Sequence, residues 1–300
     1  MNVVITGANG FIGSNLVEKF NSLGYKVFGV VRNEEENVDS ISGKCEVIYS
    51  EISDLETNQR LSEVGNGSIF YHLAWQGVNG KDKADPIIQT DNILMAIRAV
   101  KAAKQFGCRK FLVAGTIAEQ AVHSVHLLNQ VSGGTMYGAS KAACRLILET
   151  FCKTVGIPFV WMQFSNIYGP KNKTGNLISY TLGQLERGED ATFGPARQPY
   201  DFVFSDDLIE AAVRLGIKDV RESFYYIGSG SPRALADYLL TVGKIYGRED
   251  LIKIGARPDD GIKYDYSMFD SNGTFNAIGN YVSKSFEDHI RYTIECIRRK

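Results

Sequence analysis

The sequence is poor in the residues that build metal centres and disulfide frameworks. Its five cysteines stand far apart, at 45, 108, 144, 152 and 296, an odd number with no CxxC. Zinc sites and paired disulfides do not fit that pattern, whereas reduced cytoplasmic thiols do. Of the four histidines (His72, His123, His126, His289), only His123 and His126 are close together, and no third ligand stands near them. That pair is expected in a solvated loop, and no metal is expected. No segment approaches ~18 unbroken apolar residues, so no membrane-spanning helix is expected. No basic stretch precedes a long apolar one at the N-terminus, so no signal peptide is visible. An excess of one charge is missing too: the formal net charge is -1. This removes any electrostatic reason to expect nucleic acid or an anionic membrane as partner. The expectation is a soluble cytoplasmic protein.

What is present is an alternation of strand-like and helix-like segments along 300 residues, without internal repeat or low-complexity stretch. NVVIT, YKVFGVV, CEVIYS, SIFYHLA, RKFLVAG and FVWMQFS are short apolar runs, many of them β-branched. Between them, FIGSNLVEKFNSLG, PIIQTDNILMAIRAVKAAKQFG and YGASKAACRLILETFCKTVG carry apolar residues at helical spacing and end near glycine, a helix stop. Strands alternating with helices predict an α/β fold, a doubly wound parallel sheet of the Rossmann type covered on both faces. The alternation breaks at Asn166. Residues 1–165, rejoined by about 200–226, read as a dinucleotide-binding domain. Residues 166–199 and 227–300 read as a smaller, discontinuous substrate-binding domain, with a ligand expected in the crevice against the sheet.

Two local patterns carry chemistry. In VVITGANGFIGSNL a strand leads through Gly7, Gly10 and Gly13 into a helix. Glycines let the backbone turn tightly and approach a pyrophosphate, and the helix N-terminus favours the negative charge. In GTMYGASKAA, Tyr137 and Lys141 are four apart on an expected helix and share a face. Tyrosine has a reference pKa of about 10, so a neighbouring ammonium would make it a better proton relay.

With GxxGxxG spacing and a Tyr–Lys pair in one chain, the sequence resembles the extended short-chain dehydrogenases/reductases. It is most similar to their nucleotide-sugar epimerases, dehydratases and 4-ketoreductases. TGANGFIGSNL, YHLAWQG, YGASK, NIYGP, YDFVFSDDL and YYIGSGSPR follow the family's order along nearly the whole chain. The resemblance implies a catalytic triad of Thr116, Tyr137 and Lys141, with Thr116 orienting the carbonyl oxygen and Lys141 also holding the nicotinamide ribose. It implies a cofactor site made of Gly7, Asn9, Gly10, Phe11, Ile12, Gly13, Arg32, Asn33, Glu51, Ile52 and Ala74. It implies sugar-nucleotide contacts from Trp75, Asn166, Arg197, Arg233 and Arg257, and a structural Asn92. At the end of the second strand, where an acid would accept a 2′-hydroxyl, stand Arg32 and Asn33. This favours NADP(H), because Arg can fork onto a phosphate. NAD(H) is the alternative, with Arg32 a solvated charge and Glu34 on the ribose.

The sequence departs from the family at several points. Dehydratases follow the hydroxyl residue with Asp-Glu, where this chain has Ile117 and Ala118. Glu119 is one position late and, on a continuing strand, would face the other way, so dehydration is disfavoured. Gln163 and Tyr200 stand where relatives often carry Arg. The leading expectation is an NADP(H)-dependent reductase of a nucleotide-linked 4-keto sugar, with Tyr137 as general acid. The alternative is a nucleotide-sugar 4-epimerase, and a weaker one is a non-catalytic dinucleotide sensor, which would have little use for an intact Tyr–Lys pair. The family also implies a homodimer built on the helices around 86–106 and 137–155.

Overall fold

A computed structural model of the chain describes residues 1–122, 132–170, 172, 175–259, 261 and 264–299. His123 and His126 lie outside the described residues. In chain order the elements are β1 (Asn2–Thr6), α1 (Phe11–Ser22), β2 (Lys26–Val31), β3 (Glu46–Tyr49), β4 (Ile69–His72), α2 (Pro86–Gln105), β5 (Lys110–Thr116), α3 (Ala118–Ala121), α4 (Gly133–Val155) and β6 (Phe159–Phe164). They continue with β7 (Asn166–Tyr168), α5 (Leu177–Arg187), β8 (Ala191–Thr192), β9 (Pro199–Tyr200), β10 (Phe202–Phe204), α6 (Ser205–Ile217) and β11 (Phe224–Ile227). The last elements are β12 (Arg233–Ala234), α7 (Leu235–Tyr246), β13 (Ile252–Lys253), α8 (Asn272–Ile278) and α9 (Phe286–Arg298).

Seven strands form one sheet in the order β11-β6-β5-β4-β1-β2-β3. The strand order reverses between β1 and β4, the hallmark of a doubly wound sheet. β1 pairs in parallel with β2 (Ile5 opposite Gly29) and with β4 (Ile5 opposite Tyr71). Because helices cover both faces, these strands are apolar without alternation: Val3, Val4 and Ile5 are all fully buried. α1 turns Gly13, Leu16, Val17 and Phe20 inward at helical spacing. α2 opens with the Asp85 side chain accepting from the Ile87 and Ile88 N–H groups and with Pro86 in its first turn. At the start of α4 the Thr135 hydroxyl accepts from the Ser132 N–H, and the helix ends at Gly156 with φ +67°. The core of the sheet region gathers Phe28, Phe70, Phe111, Leu148 and Trp161.

By its contacts the chain divides into two compact units. One comprises residues 1–122, 132–163 and 209–225, and the other 164–208 and 226–300. The second has its own core, an aromatic stack in which Tyr168, Phe202, Tyr238 and Phe286 pack ring against ring. Its strands are two or three residues long and pair as β7–β10, β8–β13 and β9–β12. No described helix is long and apolar enough to cross a membrane. Among the described residues no group of three or more His, Cys, Asp or Glu could hold a metal ion.

Candidate active site

The first unit holds a cleft of about 360 Å³ lined by Gly7, Asn9, Arg32, Glu51, Ile52, Ala74 and Trp75, among others. Its floor is the glycine loop. Gly7 has φ +67°, and a Cβ there would stand 2.9 Å from the Ala74 backbone nitrogen. A Cβ on Gly13 would overlap the Gly7 carbonyl oxygen. Glycine is therefore required at both places. Among the described residues no side chain caps the N-terminus of α1, and no acid lies in its first turn, so its end is left positive and open, as a pyrophosphate requires. These residues fit a dinucleotide.

Arg32 is engaged. Its guanidinium forms an ion pair with Glu36, whose other carboxylate oxygen accepts from Asn9 Nδ2 at 3.4 Å. Both Arg32 and Glu36 line the cleft, and Glu34, Glu51 and Asp54 line the hollow beside it. One carboxylate thus pairs with Arg32, and three more line the cleft or the hollow beside it, where the sequence suggested a free cation for a phosphate. The i,i+4 spacing of Arg32 and Glu36 was the available signal.

The opening residues of α4 meet the end of β5. Lys141 is buried; its Nζ donates to the Ala114 carbonyl at 2.7 Å and lies 3.6 Å from the centroid of the Trp75 ring. Tyr137 sits edge-on to Trp75, ring centroids 6.1 Å apart. Two ammonium groups face its ring, Lys83 at 5.2 Å and Lys141 at 5.8 Å. Trp75 is therefore packed on the Tyr–Lys pair, its indole N–H donating to Gln89 Oε1 at 2.9 Å. Asn92 behaves as a structural residue: its side chain accepts from the Gln76 N–H and donates to the Gln76 and Ile88 carbonyls.

Burial sets the protonation of this group. It brings Lys141 down to about 8. Burial, and then the Glu119 carboxylate, push Tyr137 above its ordinary value. In the protein by itself the desolvation of the hydroxyl outweighs the pull of the neighbouring ammonium.

Glu119 also corrects the sequence reading. The chain does not continue as a strand after Thr116; it turns into α3, and Glu119 swings back beneath the site, 3% exposed. Glu119 Oε1 accepts from the Thr116 N–H at 2.7 Å, and the carboxylate also accepts from the Trp161 indole at 3.1 Å and Gln163 Nε2 at 3.2 Å. Arg145 Nε approaches to 3.9 Å. Thr116 Oγ1 meanwhile accepts from the Ala118 N–H at 3.3 Å. Glycine again permits the closeness: a Cβ on Gly115 would overlap the Trp161 indole, and one on Gly138 would overlap the Ala118 carbonyl oxygen.

The second unit has a cavity of about 460 Å³ lined by Asn176, Tyr180, Phe193, Gln198 and Arg257, among others. Arg257 is braced by hydrogen bonds of 2.8 Å to the Thr192 and Tyr180 hydroxyls and lies over the Tyr180 ring. The other substrate candidates are placed differently. Asn166 donates to the Asp201 carbonyl and accepts from the Tyr200 hydroxyl. Arg233 is ion-paired with Glu287 at 2.8 Å and packed on Tyr238 and Phe286, a structural anchor. Arg197 is exposed, between two residues that line the cavity.

Comparison with known proteins identifies the family of the chain. The profile of the NAD dependent epimerase/dehydratase family matches residues 3–228. A dTDP-6-deoxy-L-talose 4-dehydrogenase (NAD(+)) of Aggregatibacter actinomycetemcomitans is 27% identical over 78% of this chain and 87% of that protein. A UDP-glucose 4-epimerase of Mycolicibacterium smegmatis is 26% identical over 83% and 84%. Among solved structures, the UDP-glucose 4-epimerase of Thermotoga maritima with UDP-glucose has the same fold, with a TM-score of 0.81 at 22% identity over 100% of this chain and 99% of that one. With a glycine-loop cleft, a Tyr–Lys pair on one helix face and a family profile spanning three quarters of its length, the chain belongs to the NAD dependent epimerase/dehydratase family of extended short-chain dehydrogenases/reductases.

Proposed function

We propose that this protein moves hydride at C4 of a nucleoside-diphosphate sugar with NAD(H), and that its net reaction is 4-epimerisation. The observation that carries the reading is the Arg32–Glu36 ion pair within a cleft rimmed by further carboxylates. A 2′-phosphate would meet net negative charge there, whereas a 2′-hydroxyl would find an acceptor. An enzyme that does not draw on the NADPH pool suits a reaction in which the reduced cofactor returns its hydride to the same sugar.

Bound nicotinamide supplies the acceptor and donor of hydride at the reacting carbon. Tyr137 takes the proton of the C4 hydroxyl as the ketone forms and gives it back on reduction, with Lys141 and Lys83 stabilising the phenolate. Thr116 orients the C4 oxygen. The positive end of α1 holds the pyrophosphate of the dinucleotide, and Glu51 and Ile52 meet the adenosine end. In the second unit Arg257 and Tyr180 receive the nucleoside diphosphate. The protein works as a cytoplasmic homodimer through α2 and α4, whose outer faces expose Ile87, Leu94, Leu146 and Ile147.

A second reading is a 4-ketoreductase or 4-dehydrogenase, which the likeness to the NAD-linked talose 4-dehydrogenase favours. One experiment separates them. The protein is purified, its bound cofactor is released and identified, and UDP-glucose and an NDP-4-keto-6-deoxy sugar are each supplied. Epimerisation gives the C4 epimer of a hydroxy sugar with no net cofactor consumed. Stoichiometric consumption of NADH or NADPH with the keto sugar alone would replace the epimerase reading by the reductase.

A further inference from the structure

A buried carboxylate needs a reason to be buried, since removing the charge from water is costly unless it is fully bonded. Among the described residues Glu119 is bonded by donors alone: the Thr116 N–H, the Trp161 indole N–H and the Gln163 amide N–H, with Arg145 beyond them. Burial raises the Glu119 carboxyl above its ordinary range, and the hydrogen bonds from Thr116, Gln163 and Trp161 work against that rise by favouring the anion. Gly115 keeps the strand end bare enough for indole and carboxylate to close up beneath it. The carboxylate therefore sits directly below Thr116 and in electrostatic reach of Tyr137, Lys141 and Cys144.

We propose that Glu119 is a positioning residue for the Thr116–Tyr137–Lys141 centre, fixing Thr116 through its main-chain N–H and supplying the fixed negative charge against which the Tyr–Lys pair works. The proposal rests on the roles given above to those three residues. Among the described residues, the charged and titratable groups facing this centre are Glu119 from α3, Tyr137, Lys141, Cys144 and Arg145 from α4, Lys83 from the turn before α2, and His72 from β4. His72 is held neutral, drawn down to about 3 by burial and by Lys141. Two buried or half-buried cations, Lys141 and Arg145, thus lie close to one buried anion. Loss of the anion leaves the Tyr137 hydroxyl facing cations alone, so its proton departs at lower pH. Loss of Arg145 leaves Glu119 less compensated, so that proton departs at higher pH.

The test uses Glu119→Gln, which keeps the size and one accepting oxygen, together with Arg145→Gln. Two readouts are taken on protein saturated with NAD: the ultraviolet ionisation of Tyr137, obtained by difference from the matching Tyr137→Phe proteins, and the pH profile of turnover. Glu119→Gln should move both midpoints down by roughly 0.5 unit or more, about a three-fold change in the ionisation ratio, and Arg145→Gln should move them up. A residue that merely packs would lower turnover at every pH and move neither midpoint. Circular dichroism selects the variants that keep the fold; an unmoved midpoint in either folded variant overturns the proposal. The ultraviolet readout needs no sugar. A shifted midpoint without turnover of any nucleotide sugar would sink the epimerase reading and leave the role of Glu119 standing.

Discussion

Gly138→Ala adds one methyl group at the point where α4 crosses the chain that follows β5. The Cβ would overlap the Ala118 carbonyl oxygen and lie 2.8 Å from the Ala118 carbonyl carbon, both of them backbone atoms that cannot rotate away. Ordinary carbon contacts begin near 3.5 Å, so the two segments must part by about 1 Å. The energetics oppose one another. Replacing glycine inside a helix contributes about 1 kcal/mol, and overpacking costs about 1–3 kcal/mol. The net loss is ~0–2 kcal/mol, and at ~2–4 °C per kcal/mol the melting temperature falls by a few degrees. The effect on chemistry is larger. Thr116 moves with Ala118, because its Oγ1 accepts the Ala118 N–H and its own N–H is fixed on Glu119. A misplacement of about 1 Å can cost ~10²-fold in rate. The expected outcome is a folded protein that binds NADH as wild type does, since the glycine loop is untouched, and turns over ~10²-fold more slowly. The assays are thermal denaturation, NADH titration and initial rates on the substrate. Wild-type turnover, within a few-fold, in the folded variant would refute the reasoning.

Three further outcomes are expected. Glu36→Gln frees Arg32, so the ratio of NADPH to NADH affinity should rise by ~10-fold, at the low end of a charge-assisted contact because the pair is half exposed; an unchanged ratio in fluorescence titrations counts against the cofactor assignment. Lys141→Met should remove a pH dependence of stability. Lys141 lies near 8 when folded and near 10.5 when unfolded, so between these values the unfolded chain binds more protons and wild-type stability rises with pH, by roughly 3 kcal/mol in all. Urea denaturation at pH 7.5 and pH 10 should show wild type gaining on the variant, and an equal difference at both values rejects it. The dimer proposed on α2 and α4 should sediment as monomer in Leu94→Glu, placed at a 52% exposed position on α2, without loss of helix content; a sedimentation coefficient equal to that of wild type rejects that interface.

How much of this could be read beforehand depended on whether a contact was local. The glycine loop and the Tyr137–Lys141 pair lie within single turns, so spacing reveals them, and so does the buried apolar run of β1. Glu119 was misjudged because its direction depends on how the chain leaves β5, and side-chain alternation was carried three residues past the strand end. Arg233 looked like a free cation because its partner Glu287 is far along the sequence. The small strands of the second unit are too short to carry a period, so only the Gly- and Pro-punctuated texture of that region showed. For Arg32 the sequence held both halves of the pair, yet a cation at a strand end drew attention before its acid.

Trp75 and Trp161 are the only tryptophans in the chain, and both are wired to the candidate centre. Trp75 lies under the Lys141 ammonium, and Trp161 donates to the Glu119 carboxylate. An indole's emission responds to a charge held against its ring, in opposite senses for cation and anion at a given edge. The protein therefore carries two intrinsic optical probes, one on each side of the reacting groups, with no competing indole elsewhere. Steady-state emission should report the arrival of a dinucleotide through Trp75 and a change in the buried anion through Trp161. Trp75→Phe and Trp161→Phe would each leave a single-colour instrument for following the site in solution.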